Sequence, residues 1–219
     1  LLGDKVTVVA LPRDQVLDAI DDDTALVLLT HVHFRTGRMW DIKHVTESAQ
    51  KKGALMMWDL SHSVGAMPID LDSVNADLAV GCTYKYLNGG PGSPAFVYVA
   101  KRHLDIFEQP LTGWLGHAKP FDFTDDYQGA QGIQQAMCGT PPVLANAALE
   151  VSLDIILSTD MQIIRKKSQL MGNLFIQLIK QRCPWFGLES PEDDQQRGSQ
   201  VSLTHPQGYA IIQALIARN

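Results

Sequence analysis

The chain has 219 residues, 45% of them hydrophobic, and a formal net charge of -6 at pH 7. This length and composition are typical of one globular domain with part of a second, and they exclude an intrinsically disordered chain. Without a basic stripe, the negative charge argues against nucleic acid as a partner, and no apolar run reaches the roughly 18 residues of a membrane span.

Strand-like and helix-like patterns alternate through residue 100. The apolar run 24–32 is expected to be buried on both faces of a parallel sheet. Asp41 and Gly53 fit the start and the end of one helix. The alternation predicts an α/β fold with a mainly parallel sheet flanked by helices. Strands are predicted at 6–11, 24–32, 54–60, 76–84 and 93–100, and helices at 13–21 and 41–53.

The pattern changes after residue 105. Residues 110–140 are rich in Gly, Pro, Asp and aromatic residues and are predicted to form a long loop. A helical stretch at 142–182 is predicted to break near 158–160. Residues 198–215 then indicate a strand, a turn and a helix that open a smaller domain. Both ends of the chain look cut, so a fragment of a longer protein is expected.

The cysteines indicate a reducing compartment. Cys82, Cys138 and Cys183 are odd in number and contain no CxxC pair. This is unlike a disulfide framework, and it predicts a cytoplasmic protein.

Polar side chains follow three of the predicted strands. In an open α/β sheet, ligands bind outside the carboxyl ends of the strands, so these side chains are candidates for a ligand site. They are Thr30 and His31 at the end of the strand 24–32, Asp59 at the end of 54–60 with His62 just after it, and Tyr84 at the end of 76–84 followed by Lys85.

Asp59 and Lys85 together indicate one cofactor. A desolvated lysine forms a Schiff base with an aldehyde, and a carboxylate holds a pyridinium nitrogen in its protonated state. Pyridoxal phosphate requires both groups. The pair therefore predicts a pyridoxal-phosphate site more strongly than either residue alone.

Simpler interpretations exist for each of these residues. Asp59 could cap the turn that follows it, and the Lys85 side chain could extend to solvent from a strand end. His31 and His33 alternate on one strand face and could bind a metal, but the sequence places no third ligand, so no metal is predicted. The glycines of 89–92 could form only a tight turn.

The strings "WDLSHSVGAMPIDL" and "ADLAVGCTYKYLNGGPGSPAFVYV" resemble the kynureninase family, which are pyridoxal-phosphate enzymes of fold type I in the aspartate-aminotransferase superfamily. The resemblance continues through "QPLTGWLGH", "CGTPPVLA" and "GSQVSLTHPQGYA", in order along nearly the whole chain. Cysteine desulfurases and related class V aminotransferases usually carry a histidine directly before the lysine. This chain has Tyr84 there.

The resemblance implies a role for each residue near the lysine. Lys85 would bind the cofactor's aldehyde covalently and later move the substrate's α proton. Asp59 would pair with the pyridine nitrogen, and His62 would line the same face of the ring. Tyr84 would contact the phosphate and act as an acid/base group.

Three further residues match cofactor-binding positions of the family. Trp114 and Thr140 would reach the phosphate of the neighbouring subunit, which implies a homodimer with a shared site, and Thr30 would lie near the cofactor. Without the resemblance, Trp114 would be read as a half-buried loop aromatic and Thr140 as a helix N-cap.

The implied reaction is hydrolysis of L-kynurenine to anthranilate and L-alanine, in tryptophan catabolism and NAD biosynthesis, with 3-hydroxykynurenine as an alternative substrate. The resemblance divides the chain into the C-terminal part of a cofactor-binding large domain, 1–157, and a connecting helix with part of a small α+β domain, 158–219. The family's phosphate loop and its substrate-binding arginine would lie outside the chain, so the fragment alone is expected to be inactive. The alternatives are another fold type I lyase, such as a desulfurase, and a non-catalytic remnant.

Overall fold

The computed structural model describes residues 5–218, which form a mixed α/β fold. Three short 3-10 helices lie at Lys101–His103, Trp114–Gly116 and Gly132–Ala136. The helices are α1 (Arg13–Val16), α2 (Ile42–Lys51), α3 (Val143–Leu157), α4 (Met161–Arg182) and α5 (Gly208–Ile216). The strands are β1 (Leu26–Thr30), β2 (Leu55–Asp59), β3 (Leu78–Cys82), β4 (Ala95–Val99), β5 (Gly187–Leu188) and β6 (Leu203–Thr204).

The main sheet has four strands in the order β1-β2-β3-β4. The first three are parallel and β4 is antiparallel to β3. Thr30 lies opposite Asp59, and Asp59 lies opposite Val80. The carboxyl ends of the three parallel strands therefore meet at one edge of the sheet, as the α/β prediction requires.

One face of the sheet packs against α2. Met56, Trp58 and Ala79 are buried there together with Val45 and Ala49 of the helix. The Trp58 indole also donates a hydrogen bond to Thr46 Oγ1 at 3.0 Å, which satisfies its only polar group in the core.

The opposite face of the sheet is open, so the prediction of burial on both faces of 24–32 is wrong for the residues that the structure describes. Leu28 in β1 is 57% exposed, and Leu26 and Leu55 are also exposed. An unbroken apolar run indicates that both faces of a strand are compatible with burial. It does not specify which element covers each side.

Two further predictions at the start of the chain are wrong. Residues 6–11 form no strand, and Val8 and Val9 are exposed, because β-branched residues become a strand only beside a pairing partner and the described residues supply none. The helix predicted at 13–21 is a single turn, α1, followed by a non-helical turn at 17–19. Helices this short gain little from propensity alone.

Local signals place the other helix ends correctly. Asp41 Oδ1 accepts a hydrogen bond from the His44 N–H at 2.9 Å, and Gly53 follows α2 with a φ of +82°. The break predicted near 158–160 separates α3 from α4, where Asp160 Oδ1 accepts from the Gln162 N–H. The predicted loop at 110–140 is confirmed, apart from its two 3-10 turns.

The residues after α4 pack on the loop that follows β1. The Gly198 N–H donates to the Gly37 carbonyl at 2.7 Å, and the Met39 N–H donates to the Gln196 carbonyl at 2.8 Å. The Arg165 guanidinium of α4 donates to the Arg197 carbonyl at 2.8 Å. The second half of the chain thus supports the carboxyl end of β1. Across residues 5–218, every helix is too short or too polar to cross a bilayer.

A buried carboxylate connects the amino ends of β2 and β3. The Asp77 side chain is 4% exposed and accepts hydrogen bonds from Arg102 at 2.6 Å, His103 at 2.7 Å and the Met56 N–H at 2.9 Å. Burial raises the pKa of Asp77, but the hydrogen bonds from these groups and Gln50 outweigh it and hold the pKa below its ordinary value. This stabilisation is therefore complete above the ordinary carboxyl pKa and is lost as the pH falls through the lowered one.

Replacing Asp77 with alanine is expected to lower the free energy of unfolding of the intact protein by about 3 kcal/mol, because it leaves the buried Met56 N–H without its acceptor and removes the anion that Arg102 and His103 contact. Chemical denaturation at neutral pH measures this change. Asp22→Ala is the control, since the Asp22 carboxylate is 88% exposed and, among the described residues, pairs only with Lys52 at 3.4 Å. A change for Asp77→Ala as small as the control's, within about 0.5 kcal/mol, would contradict the prediction.

Candidate active site

Asp59 is the last residue of β2, and its carboxylate is half-buried. Its Oδ1 accepts a hydrogen bond from the Ser61 N–H at 2.8 Å, so the turn-capping interpretation is correct. Within residues 5–218 no hydrogen bond involves Oδ2. One carboxylate oxygen therefore holds the turn, and the other can pair with a cationic ring nitrogen.

Lys85 lies in the loop after β3 and is half-buried. Its Nζ is 3.1 Å from His62 Nε2, and it lies 5.5 Å from the centre of the Tyr84 ring. The Lys85 side chain therefore contacts a neighbouring loop as well as solvent. Tyr84 is 51% exposed, so its hydroxyl is open to a ligand.

The electrostatics of His62 follow from these neighbours. Burial and then the Lys85 ammonium lower the pKa of His62, and the Asp59 carboxylate opposes them. A lowered pKa keeps the imidazole neutral at pH 7. Neutral Nε2 can then accept a hydrogen bond from the Lys85 amine, which fixes where that amine lies.

The glycine-rich segment after Lys85 reverses the chain. The Gly89 N–H donates to the Thr83 carbonyl at 2.9 Å, and Gly90 and Gly92 have φ values of +82° and +80°. Both φ values lie in the left-handed region that glycine adopts without strain. The tight-turn interpretation of these glycines is correct, and the turn holds the loop that carries Lys85 between β3 and β4.

Thr30 lies beside Asp59 in the register of the sheet, so the structure brings these two predicted residues together. Its hydroxyl donates to the Val32 carbonyl at 3.0 Å. A role for Thr30 at the cofactor remains a prediction.

The two histidines after β1 occupy different environments. His31 is buried edge-on against Trp58, with the ring centroids 5.8 Å apart, and burial followed by the charge of Arg165 lowers its pKa to about 4. His33 Nδ1 lies 3.1 Å from the Thr36 hydroxyl. In the part of the chain that is described, no three His, Cys, Asp or Glu side chains are grouped so that they could hold a metal ion.

Trp114 and Thr140 lie in the long loop before α3. The Trp114 indole donates to the Pro120 carbonyl at 2.5 Å, and its ring contacts Phe121 edge-on at 5.4 Å. Thr140 is exposed and does not cap α3, whose N-cap is Pro142, so the N-cap interpretation is wrong. Among the hydrogen bonds of the described residues, none joins Trp114 or Thr140 to Asp59, His62 or Lys85.

Sequence reasoning missed two residues in the turn after β2. Ser61 supplies the N–H that orients Asp59, and the spacing of an aspartate and a donor two residues later is the signal that could have found it. Gly65 lies against the backbone of Tyr86, a contact between distant segments for which the sequence contains no signal.

A mainly parallel sheet with a carboxylate and a lysine after neighbouring strands defines the class of fold type I pyridoxal-phosphate proteins. The fold is similar to the apo structure of a cysteine desulfurase from Thermococcus onnurineus NA1, with a TM-score of 0.78 and 19% identity over 94% of this chain and 50% of that one. At that identity the likeness shows the fold alone.

The family follows from the sequence comparison. The model of the aminotransferase class-V family matches residues 6–216, so the chain belongs to that family, and its cofactor is pyridoxal 5′-phosphate. It is 51% identical over 203 residues to a kynureninase of Burkholderia mallei (strain SAVP1), covering 92% of this chain and 49% of that protein. It is 48% identical over 207 residues to a kynureninase of Pseudomonas fluorescens, covering 94% and 50%. The chain thus spans about half the length of the curated relatives it matches.

Proposed function

We propose that this chain is the lysine-bearing half of a kynureninase, which hydrolyses the carbon–carbon bond between the β and γ carbons of L-kynurenine and releases anthranilate and L-alanine. The 51% identity to a kynureninase over nearly the whole chain carries the proposal. The close approach of Lys85 Nζ to His62 Nε2 beside Asp59 supports it, because this chemistry requires an amine and a carboxylate at one site.

The residues fit the cofactor. Asp59 Oδ2 is open to a pyridinium nitrogen, and Lys85 Nζ is held by a neighbouring imidazole and does not extend freely into solvent. When bound, pyridoxal phosphate supplies a cationic ring that withdraws electrons from the substrate's α carbon. The Asp59 charge keeps the ring nitrogen protonated.

Protein side chains carry out the proton transfers of the proposed reaction. Lys85 Nζ takes the proton from the substrate's α carbon, and neutral His62 orients that amine. Water adds to the γ carbonyl carbon, which leaves as the carboxylate of anthranilate when the bond between the β and γ carbons breaks. Tyr84 is half-exposed beside Lys85, and its hydroxyl donates a proton to the β carbon at that step. Lys85 and Tyr84 are thus the catalytic residues of the proposal.

The proposal extends to the assembly. Trp114 and Thr140 are both exposed, so both are accessible to a second subunit, and they would lie at its phosphate site in a homodimer. The domain boundary is proposed after residue 157, where the break between α3 and α4 supports it. The three cysteines are free, in keeping with a cytoplasmic protein of tryptophan catabolism.

Incubation of the intact protein with pyridoxal phosphate and L-kynurenine is expected to release anthranilate, which is followed by its fluorescence. The matched reaction contains L-cysteine in place of kynurenine and is assayed for released sulfur, because the solved fold neighbours include a cysteine desulfurase. Sulfur release from cysteine without anthranilate from kynurenine would contradict the proposed substrate. A protein that shows the cofactor's visible absorbance band but acts on neither compound would favour the non-catalytic alternative.

A further inference from the structure

Gly65 lies in the turn that follows β2, three residues after His62, and has a φ of +81°. We propose that Gly65 is a positioning residue of the site: its lack of a side chain allows this turn to lie directly against the backbone of Tyr86, and this contact sets the distance between His62 and Lys85. The inference rests on the proposed function, in which Lys85 binds the cofactor.

The contact leaves no room for a side chain. A Cβ atom at position 65 would lie 2.8 Å from both the carbonyl carbon and the carbonyl oxygen of Tyr86, and 3.0 Å from Leu87 Cδ2. The Leu87 methyl can rotate away, but the Tyr86 peptide is backbone and can move only with its loop. A side chain at position 65 must therefore push the two loops apart.

The displacement would reach the site because each loop is braced by hydrogen bonds within itself and carries one of the two side chains. The Ser63 N–H donates to the Leu60 carbonyl at 2.9 Å in one loop, and the Gly89 N–H donates to the Thr83 carbonyl at 2.9 Å in the other. His62 lies in the first loop and Lys85 directly precedes Tyr86 in the second. The distance between His62 Nε2 and Lys85 Nζ is 3.1 Å, and a shift of a few tenths of an ångström would take it beyond good hydrogen-bond length.

Gly53 provides a matched control. Its φ is +82°, so alanine there meets the same backbone strain as alanine at position 65. A Cβ atom at Gly53 has no neighbour within 4 Å among the described residues. Any difference between Gly65→Ala and Gly53→Ala in the His62 titration or in cofactor binding is therefore due to the contact with Tyr86 and not to the cost of the positive φ angle.

The first experiment follows the His62 ring by NMR in the intact, cofactor-free protein, with His62→Gln to assign the signal. Burial and, to a smaller extent, the Lys85 ammonium lower the pKa of His62, and the Asp59 carboxylate raises it. Lys85→Met is therefore expected to raise the pKa of His62. Gly65→Ala is expected to change it in the same direction, because the amine moves away. Gly53→Ala is expected to leave it at the wild-type position.

The second experiment adds pyridoxal phosphate and follows the visible band of covalently bound cofactor. Misplacing the Lys85 amine is expected to slow formation of the band by roughly tenfold to a hundredfold in Gly65→Ala and to have no effect in Gly53→Ala. If Gly65→Ala does not fold, Gly65→Asn replaces it in both experiments, since asparagine tolerates a positive φ while still adding a Cβ.

A Gly65 variant that matches Gly53→Ala in both the His62 titration and the rate of band formation would overturn the inference. The two proposals fail separately. If the wild-type protein forms no band, the proposed function is wrong. A shifted His62 titration in the Gly65 variant would still support the contact between Gly65 and Tyr86. If the wild-type protein forms the band and cleaves kynurenine, but the His62 titration and the rate of band formation are unchanged in the Gly65 variant, only the role of Gly65 is wrong.

Discussion

Replacing Lys85 with alanine is expected to remove the visible absorbance band of bound pyridoxal phosphate and to lower anthranilate release from kynurenine by at least about 10⁴-fold. The reason is that in the proposed function Lys85 Nζ, which lies 3.1 Å from His62 Nε2, supplies both the covalent attachment and the proton transfer at the α carbon. Absorbance spectra of the intact protein and initial rates of fluorescence increase measure the two effects.

Lys43→Ala is the matched control for that experiment, because Lys43 is an exposed residue of α2 and, among the described residues, no hydrogen bond or ion pair joins it to Asp59, His62 or Lys85. It is expected to retain both the band and the rate. A Lys85→Ala protein that keeps the wild-type band would show that the cofactor is attached elsewhere, and the role given to Lys85 would be wrong.

Asp59→Asn is expected to lower the rate of kynurenine cleavage by about 10³-fold while the fold is retained. Asparagine keeps the oxygen that accepts the Ser61 N–H, so the turn after β2 is preserved. It removes the negative charge that, in the proposed function, keeps the ring nitrogen of the cofactor protonated, so the electron withdrawal at the α carbon is expected to weaken. Steady-state kinetics measure the effect of the lost charge, and thermal unfolding of the same samples measures whether the turn after β2 is preserved.

Two comparisons make the result interpretable. Asp59→Ala loses both the charge and the turn cap, so it is expected to be slower than wild type and also less stable. Asp22→Asn changes an exposed carboxylate that pairs with Lys52, and it is expected to change neither the rate nor the stability. Full activity in Asp59→Asn would mean that the side chain serves the turn alone.

Local signals predicted much of the fold. Asp41 and Gly53 bounded α2 correctly because a cap is an interaction with the adjacent turn. The break between α3 and α4 followed from residues at the break itself. By the same logic, Asp59 and Lys85 could be placed after two neighbouring strands, since the end of a strand is visible in its own residues.

The failures concern interactions between distant segments. Residues 6–11 have the composition of a strand but no pairing strand among the described residues, and 24–32 has the composition of a strand buried on both faces but has only one face covered. Thr140 resembles an N-cap, yet the chain enters α3 two residues later, at Pro142. For the two strands, the residue pattern states what is compatible, and a partner elsewhere decides what forms.

The sequence by itself determined the order of strands and helix from residue 24 to residue 100 and the positions of Asp59 and Lys85 at strand ends, and it predicted a pyridoxal-phosphate site from this pair. Only the tertiary structure decided that His62 lies 3.1 Å from Lys85 and that Gly65 lies against Tyr86, because these residues are 23 and 21 positions apart, respectively. The packing of two loops sets such distances, and packing depends on the whole sheet rather than on any short stretch of residues.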